Sequence, residues 1–90
     1  MNSLFTEDAW QDYLYWQEHE QKILKKVNDL IKEITREPFS GTGKPEALRF
    51  ALKGYWSRRI TQEHRIVYRV EAGTLSIAQC RYHYEDRFGP

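Results

Sequence analysis

The chain has a single cysteine, Cys80, so no disulfide can staple the fold, and a reducing cytoplasm is the expected setting. Its place in an apolar stretch reads as a small buried core residue. No apolar run approaches the roughly 20 residues of a membrane span, so no membrane partner is expected. The start, Met1-Asn2-Ser3-Leu4-Phe5-Thr6-Glu7, lacks the basic opening and apolar core of a signal peptide. The three histidines, His19, His64 and His83, are scattered, and one thiol cannot build a thiolate site. Neither a metal nor a cofactor is therefore expected. Gly41-Thr42-Gly43-Lys44 looks like a fragment of a phosphate loop, but it lacks the required GxxxxGK[ST] spacing and does not lead from a strand into a helix. There is also no surplus of one charge. Fourteen Lys and Arg against thirteen Asp and Glu leave a formal +1, which excludes a uniformly basic nucleic-acid coat and an acidic disordered tail.

What is present suits one small folded domain. Ninety residues leave no room for two cores, and 40% hydrophobic with 14% aromatic content argues against disorder. The near-neutral total hides a split. Residues 1–40 carry five bases against eight acids, a net −3, whereas residues 41–84 carry eight bases against three acids, a net +5. Seven of the eight arginines lie after residue 48. A basic face beside an acidic one creates a local positive field, and the planar fork of arginine suits phosphate.

The hydrophobic pattern changes period along the chain. Ser3-Leu4-Phe5 reads as a short strand, and Thr6 as the N-cap of a helix with Glu7 and Asp8 in its first turn. Trp10, Tyr13, Leu14 and Gln17 fall on one stripe of that helix, leaving Tyr15 and Trp16 off it for a second contact. Glu18–Gln21 is a polar bend. A second helix over about residues 21–36 is marked by Ile23, Leu24, Val27, Leu30, Ile31 and Ile34, and Pro38 stops it. The breaker-rich loop 39–45 follows. Alternation then points to strands at Tyr55–Thr61, Arg65–Glu71 and Leu75–Tyr82, with turns at 62–64 and Ala72-Gly73 and a further extended edge near Leu48–Leu52. The expected fold class is α+β, with order β-α-α-β-β-β and an optional further strand. The strand pattern leaves open which face meets the helices, because arginines occur on both parities.

Glu46, Arg65 and His83, with Arg49, Arg59, Glu63 and Tyr84 around them, suit one reaction. It is cleavage of RNA by its own 2′-hydroxyl. A carboxylate can take the 2′-OH proton, a histidinium can protonate the leaving 5′-oxygen, and an arginine can neutralise charge growing on the phosphate. DNA lacks the 2′-OH and would be inert. Each residue also has a bland reading. Glu46 could cap a turn beside Pro45, Arg65 could pair with Glu63 or Glu71, and His83 could be a solvated residue. Tyr82 and Tyr84 could be packing residues rather than stacking platforms.

The run from Gly54 to Tyr68, Gly-Tyr-Trp-Ser-Arg-Arg-Ile-Thr-Gln-Glu-His-Arg-Ile-Val-Tyr, resembles the central motif of the YoeB toxins in the RelE/ParE superfamily. Residues 10–17 resemble the family's first helix, 38–48 its central loop, and Cys80-Arg81-Tyr82-His83-Tyr84 its last strand. The resemblance spans residues 3–84 without gaps. It implies a microbial RNase-like (RelE-like) fold, with two N-terminal helices on a curved antiparallel sheet. It implies the toxin of a type II toxin–antitoxin pair, a ribosome-dependent endoribonuclease that cuts mRNA in the A site and stops translation. The implied roles are general base for Glu46, general acid for His83 and phosphate stabiliser for Arg65. Arg59, Glu63 and Tyr84, with Lys44 and Arg49, would bind RNA or shape the site.

The implied partners are a YefM/Phd-like antitoxin with an acidic C-terminal segment, the ribosome and mRNA, operator DNA through the antitoxin, and a second copy as a homodimer. The +5 segment offers a physical basis for attracting an acidic peptide or RNA. Tyr15 and Trp16 are the candidates for a dimer face. Two features depart from the family. Arg49 stands where a lysine is frequent, and Glu85–Pro90 continue past the His-Tyr pair where the family commonly ends. Residues 1–84 then form the toxin domain, with 85–90 a flexible or appended extension. Two other readings compete: a gyrase-inhibiting ParE-type toxin, which lacks the Glu/His pair, and a non-catalytic interaction or DNA-binding module.

Overall fold

The computed structural model describes residues 1–88. Strand β1 (Asn2–Phe5) leads into helix α1 (Glu7–His19) and helix α2 (Gln21–Arg36). Then come β2 (Glu46–Ala47), β3 (Trp56–Arg59), β4 (Arg65–Glu71), β5 (Thr74–Gln79) and the short helix α3 (Tyr84–Phe88). The five strands form one sheet in the order β1-β5-β4-β3-β2. Strands β2 to β5 are an antiparallel meander, while β1 joins β5 in parallel, so the sheet is mixed where a wholly antiparallel one was expected. The two helices carry the chain from β1 at one edge of the sheet to β2 at the other, and the meander back sets β5 beside β1 in the same direction, a parallel pairing that no hairpin could make. A register shift at Val67/Tyr68 against β5 bends the sheet.

Local signals account for the elements. The Thr6 hydroxyl accepts the Ala9 amide at 3.2 Å and caps α1. Glu20 separates the helices, and α2 ends at Arg36, two residues before Pro38. Val27, Leu30 and Ile34 of α2 are buried against Ile60, Ile66 and Tyr68 of the sheet layer, as the periodicity of α2 requires.

The face of α1 corrects the expected stripe. Ala9, Asp12 and Trp16 are its buried positions, whereas Trp10 is 43% exposed. Trp16 is only 3% exposed, so it is a core residue and is removed from the candidates for a dimer face. The apolar stripe was misleading because the buried face includes an acid. Asp12 is kept inside by the Cys80 amide at 3.1 Å and a two-pronged bond from Arg87 at 2.8 and 2.9 Å. Trp10 and Tyr13 instead stack on each other beside Phe5 at the rim.

Two further boundaries shift. The edge expected near Leu48–Leu52 lies earlier, at Glu46–Ala47, and Phe50–Leu52 forms a 3₁₀ turn. The last strand ends at Gln79 instead of Tyr82, and the chain turns at Tyr82, which adopts a φ of 68°. Cys80 is fully buried just past β5, and burial followed by the nearby Asp12 charge pushes its thiol well above its ordinary pKa. The segment expected to be flexible or appended starts as α3, and Gly89 and Pro90 lie outside the described residues.

Candidate functional site

Side chains directly opposite each other in a sheet project from the same face, and residues two apart on one strand share that face. Glu46 is paired with Ser57, and Arg59 with Arg65. Glu46, Ser57, Arg59 and Arg65 therefore share one face at the β2-β3-β4 end of the sheet. Arg58, Ile60, Ile66 and Tyr68 take the other face, which packs on the helices. The strand register thus settles the parity question and places three of the expected site residues together.

Arg65 opens β4. Its Nη1 donates to the carbonyls of Thr61, Gln62 and His64 at 3.0, 2.9 and 3.2 Å. Among the described residues all its side-chain hydrogen bonds run through that one nitrogen. Burial, then the charge of Arg59, pushes the guanidinium below its ordinary pKa, while Tyr84 and Glu46 pull the other way. Tyr84 is raised by burial first, then by Glu46 and Glu85, with Arg65 opposing. Arg65 therefore lies in the fields of Arg59, Glu46 and Tyr84, and Tyr84 in that of Glu46.

The segment carrying Tyr84 is held by main-chain bonds that sequence reading missed. Tyr82 carbonyl accepts the Arg65 amide at 2.9 Å and Gln79 Nε2 at 2.8 Å. The Tyr82 amide donates to His64 Nδ1 at 2.8 Å. Upstream, Trp16 Nε1 donates to the Cys80 carbonyl at 2.7 Å. A left-handed φ costs about 1–3 kcal/mol in a residue like tyrosine. These bonds hold Tyr82 in that conformation and return the chain over the site. His64 is itself lowered in pKa, mainly by burial, which favours the neutral ring that can accept from Tyr82.

His83 follows, with its side chain 30% exposed and its ring centroid 4.3 Å from that of Tyr84. Its Nδ1 accepts the Glu85 amide at 3.2 Å and lies 3.5 Å from the Glu85 carboxylate. It flanks the cluster through Tyr84; its polar partners are Glu85 and Asp86, not Glu46. Glu63 is not drawn in: its carboxylate is mostly exposed and lies 3.7 Å from His64 Nε2. Lys44 and Arg49 are exposed on either side of β2. Segment 46–52 and segment 84–88 line a cavity of about 320 Å³, whose walls include Glu46, Arg49, Phe50, Tyr84, Glu85 and Phe88.

A buried arginine anchors the loop leading to Glu46. Arg58 is 0% exposed and bonds Glu33 at 2.8 Å, the Tyr68 hydroxyl at 3.1 Å, and the carbonyls of Glu37, Ser40 and Thr42. Glu33 in turn accepts the Thr42 amide and hydroxyl. Glycine is required in this loop: a Cβ on Gly43, at φ 80°, would lie 2.8 Å from the Arg59 carbonyl. The phosphate-loop-like stretch is thus a tether between α2 and β3. The one signal for Arg58 was its shared parity with Trp56 and Ile60. Among the described residues, no three of His, Cys, Asp and Glu gather to hold a metal ion.

Comparison with known proteins adds identity to this geometry. The profile of the family described as the YoeB-like toxin of bacterial type II toxin-antitoxin systems matches residues 5–84. Toxin YoeB of Escherichia coli strain K12 is 57% identical over 84 residues, covering 93% of this chain and 100% of that protein. The solved YoeB/ParE toxin from Agrobacterium tumefaciens superposes with a TM-score of 0.90 at 49% identity, over 93% of this chain and 100% of that one. The Staphylococcus aureus YoeB, solved as a dimer and in a heterotetrameric complex with YefM, has a TM-score of 0.87 at 47% identity, over 93% of this chain and 98% of its own. A match of that length and identity, on a sheet with the expected order of helices and strands, makes this chain a member of the YoeB-like toxins of bacterial type II toxin–antitoxin systems.

Proposed function

We propose that this toxin is a ribosome-dependent endoribonuclease that cuts mRNA in the A site by attack of the 2′-hydroxyl, and so inhibits translation. The observation that carries the reading is the convergence of Glu46, Arg59, Arg65 and Tyr84 at one end of the sheet, with His83 on the segment folded beside them. Glu46 takes the proton from the 2′-OH as that oxygen attacks phosphorus. Arg65 is fixed through Nη1, leaving Nε and Nη2 to donate to the phosphate oxygens as negative charge builds. His83 protonates the departing 5′-oxygen. The products are a 2′,3′-cyclic phosphate and a 5′-hydroxyl, with atoms balanced and no water consumed in this step. Arg59 adds positive charge to the site, Tyr84 shapes it, and Lys44 and Arg49 bind the strand on either side. Glu63 acts at a distance, through its contact with His64.

The partners follow from the same reading. An antitoxin with an acidic C-terminal segment is the complementary ligand for the basic face, and the Staphylococcus aureus relative is known in complex with YefM. That relative also forms a dimer, and a homodimer is proposed here. The antitoxin complex would bind operator DNA, and the toxin would act in the cytoplasm. In a reconstituted translation reaction, the chain should cut mRNA on programmed ribosomes, and Glu46→Gln should lower the rate about 10²–10⁴-fold. Undiminished cleavage by Glu46→Gln would remove the base assignment. Intact mRNA together with inhibited gyrase would favour a ParE-type activity.

A further inference from the structure

Phe50 is the most exposed large hydrophobic side chain described, at 86%, and it sits at a φ of 55°. Either property is unusual for phenylalanine. An aromatic residue at positive φ is a genuine backbone outlier, and such strain collects at ligand sites. Here the strain is maintained by the 3₁₀ turn: the Leu52 amide bonds the Arg49 carbonyl at 3.1 Å and the Lys53 amide bonds the Phe50 carbonyl at 3.0 Å. The result is an aromatic ring displayed to solvent beside Arg49, on the wall of the cavity that also contains Glu46. Phe88, 41% exposed, lines the same cavity from α3. The Arg87–Asp12 pair ties α3 to α1 and so holds that second wall in place.

We propose that this cavity is a nucleobase slot: Phe50 is the stacking platform for an unpaired RNA base next to the cleaved bond, Arg49 binds the adjoining phosphate, and Phe88 closes the far side. The cavity lies at the low end of the roughly 300–1,000 Å³ range of small-ligand sites, a size suited to one base. The occupant is argued from charge and chemistry together. The lining sets its aromatic platform beside one arginine, Arg49, with Glu46 and Glu85 as its acids, and Arg59 and Arg65 lie on the sheet face that carries Glu46; an aromatic ring beside a cation suits single-stranded nucleic acid, because every base has a π face and every linkage a negative charge. The slot rests on the reading of RNA as substrate, but not on cleavage.

The test uses the full chain and a short RNA carrying 2-aminopurine, with a 2′-O-methyl group at each residue so that no bond can be cut. Stacking should quench the fluorophore. Phe50→Ala should weaken binding roughly five- to 150-fold and abolish the quench. Phe50→Tyr should restore both, and Phe50→Leu, apolar but without a π face, should not. Phe88→Ala should reduce the quench with Phe50 present. No quench with the unaltered chain, or equal binding by the Ala and Tyr variants, overturns the slot. If message is cleaved but the quench is insensitive to Phe50, the slot is lost and the nuclease stands. If the quench depends on Phe50 and nothing is cleaved, the slot stands and the nuclease reading is lost.

Discussion

Replacing Arg58 with alanine should destabilise this toxin more than any other single arginine change. The side chain is fully buried, and its guanidinium joins α2, the 37–42 loop and β4 in one network. Removing one member of a buried ion pair typically costs about 3–5 kcal/mol. Part of the network is insured. Tyr68 still donates to the Pro38 carbonyl at 2.7 Å, and Glu33 keeps its two bonds from Thr42. The loss therefore comes mainly from the cavity and from the carbonyls that lose their donor, and about 3–5 kcal/mol remains the expected size. A chain of this length has a total stability of order 5–13 kcal/mol. The melting temperature should fall by roughly 12–40 °C. Arg58→Lys should recover only part of this, because an ammonium cannot reproduce the planar fork. The neighbouring Arg59 is exposed, so Arg59→Ala should lie within about 0.5 kcal/mol of the parent. Urea denaturation of the variants settles the comparison. A loss below about 1 kcal/mol for Arg58→Ala would refute the idea that this arginine organises the loop.

Other expectations are more local. Hydrogen bonds from the Thr42 amide and hydroxyl, and then Arg58, hold Glu33 below its ordinary value of 4.5. Its stabilising contribution should be complete above pH 4.5 and fade as the pH falls through the depressed folded value. Denaturation of Glu33→Gln over a pH series should then show a flatter acid limb; an unchanged limb counts against the linkage. His64 should titrate below 6.5 in an NMR experiment, because burial disfavours its charged form. Its neutral form favours folding above that pH and loses the advantage on acidification, when Nδ1 can no longer accept from Tyr82. Gly43→Ala should cost more than about 1 kcal/mol by thermal melt, since it adds a 2.8 Å clash to an unfavourable φ. Gly54→Ala, where nothing lies within 4 Å, should cost less.

Where local pattern decides structure, the sequence was readable. The α2 helix follows from six apolar residues at helical spacing, and β4 is bounded at Arg65 and Glu71 by turns on both sides. The face of α1 was not readable, because Asp12 is buried through a partner 75 residues away. Arg58 was equally hidden: its acid lies 25 residues back, on a helix whose charges look uniformly solvated. In the site, Glu46, Arg59 and Arg65 could be nominated by type, but only strand register puts them on one face. The return of His83 and Tyr84 depends on the φ of Tyr82, and no glycine marks that turn. The roles proposed for His83 and Tyr84 come from the family resemblance alone. The physical reasons for the placement lie in His64, Gln79 and Trp16; of these only Trp16 stood out in the sequence, as a residue off the α1 stripe free for a second contact.

The central claim is that the 2′-hydroxyl is the nucleophile. The direct measurement is cleavage of an mRNA on programmed ribosomes, with one 2′-deoxynucleotide placed immediately before the cut bond and with the ends of the fragments identified. The unmodified message should yield a 2′,3′-cyclic phosphate and a 5′-hydroxyl, and the single deoxy substitution should abolish cutting there. Cleavage that persists at the deoxy site, or fragments carrying a 5′-phosphate, would contradict it.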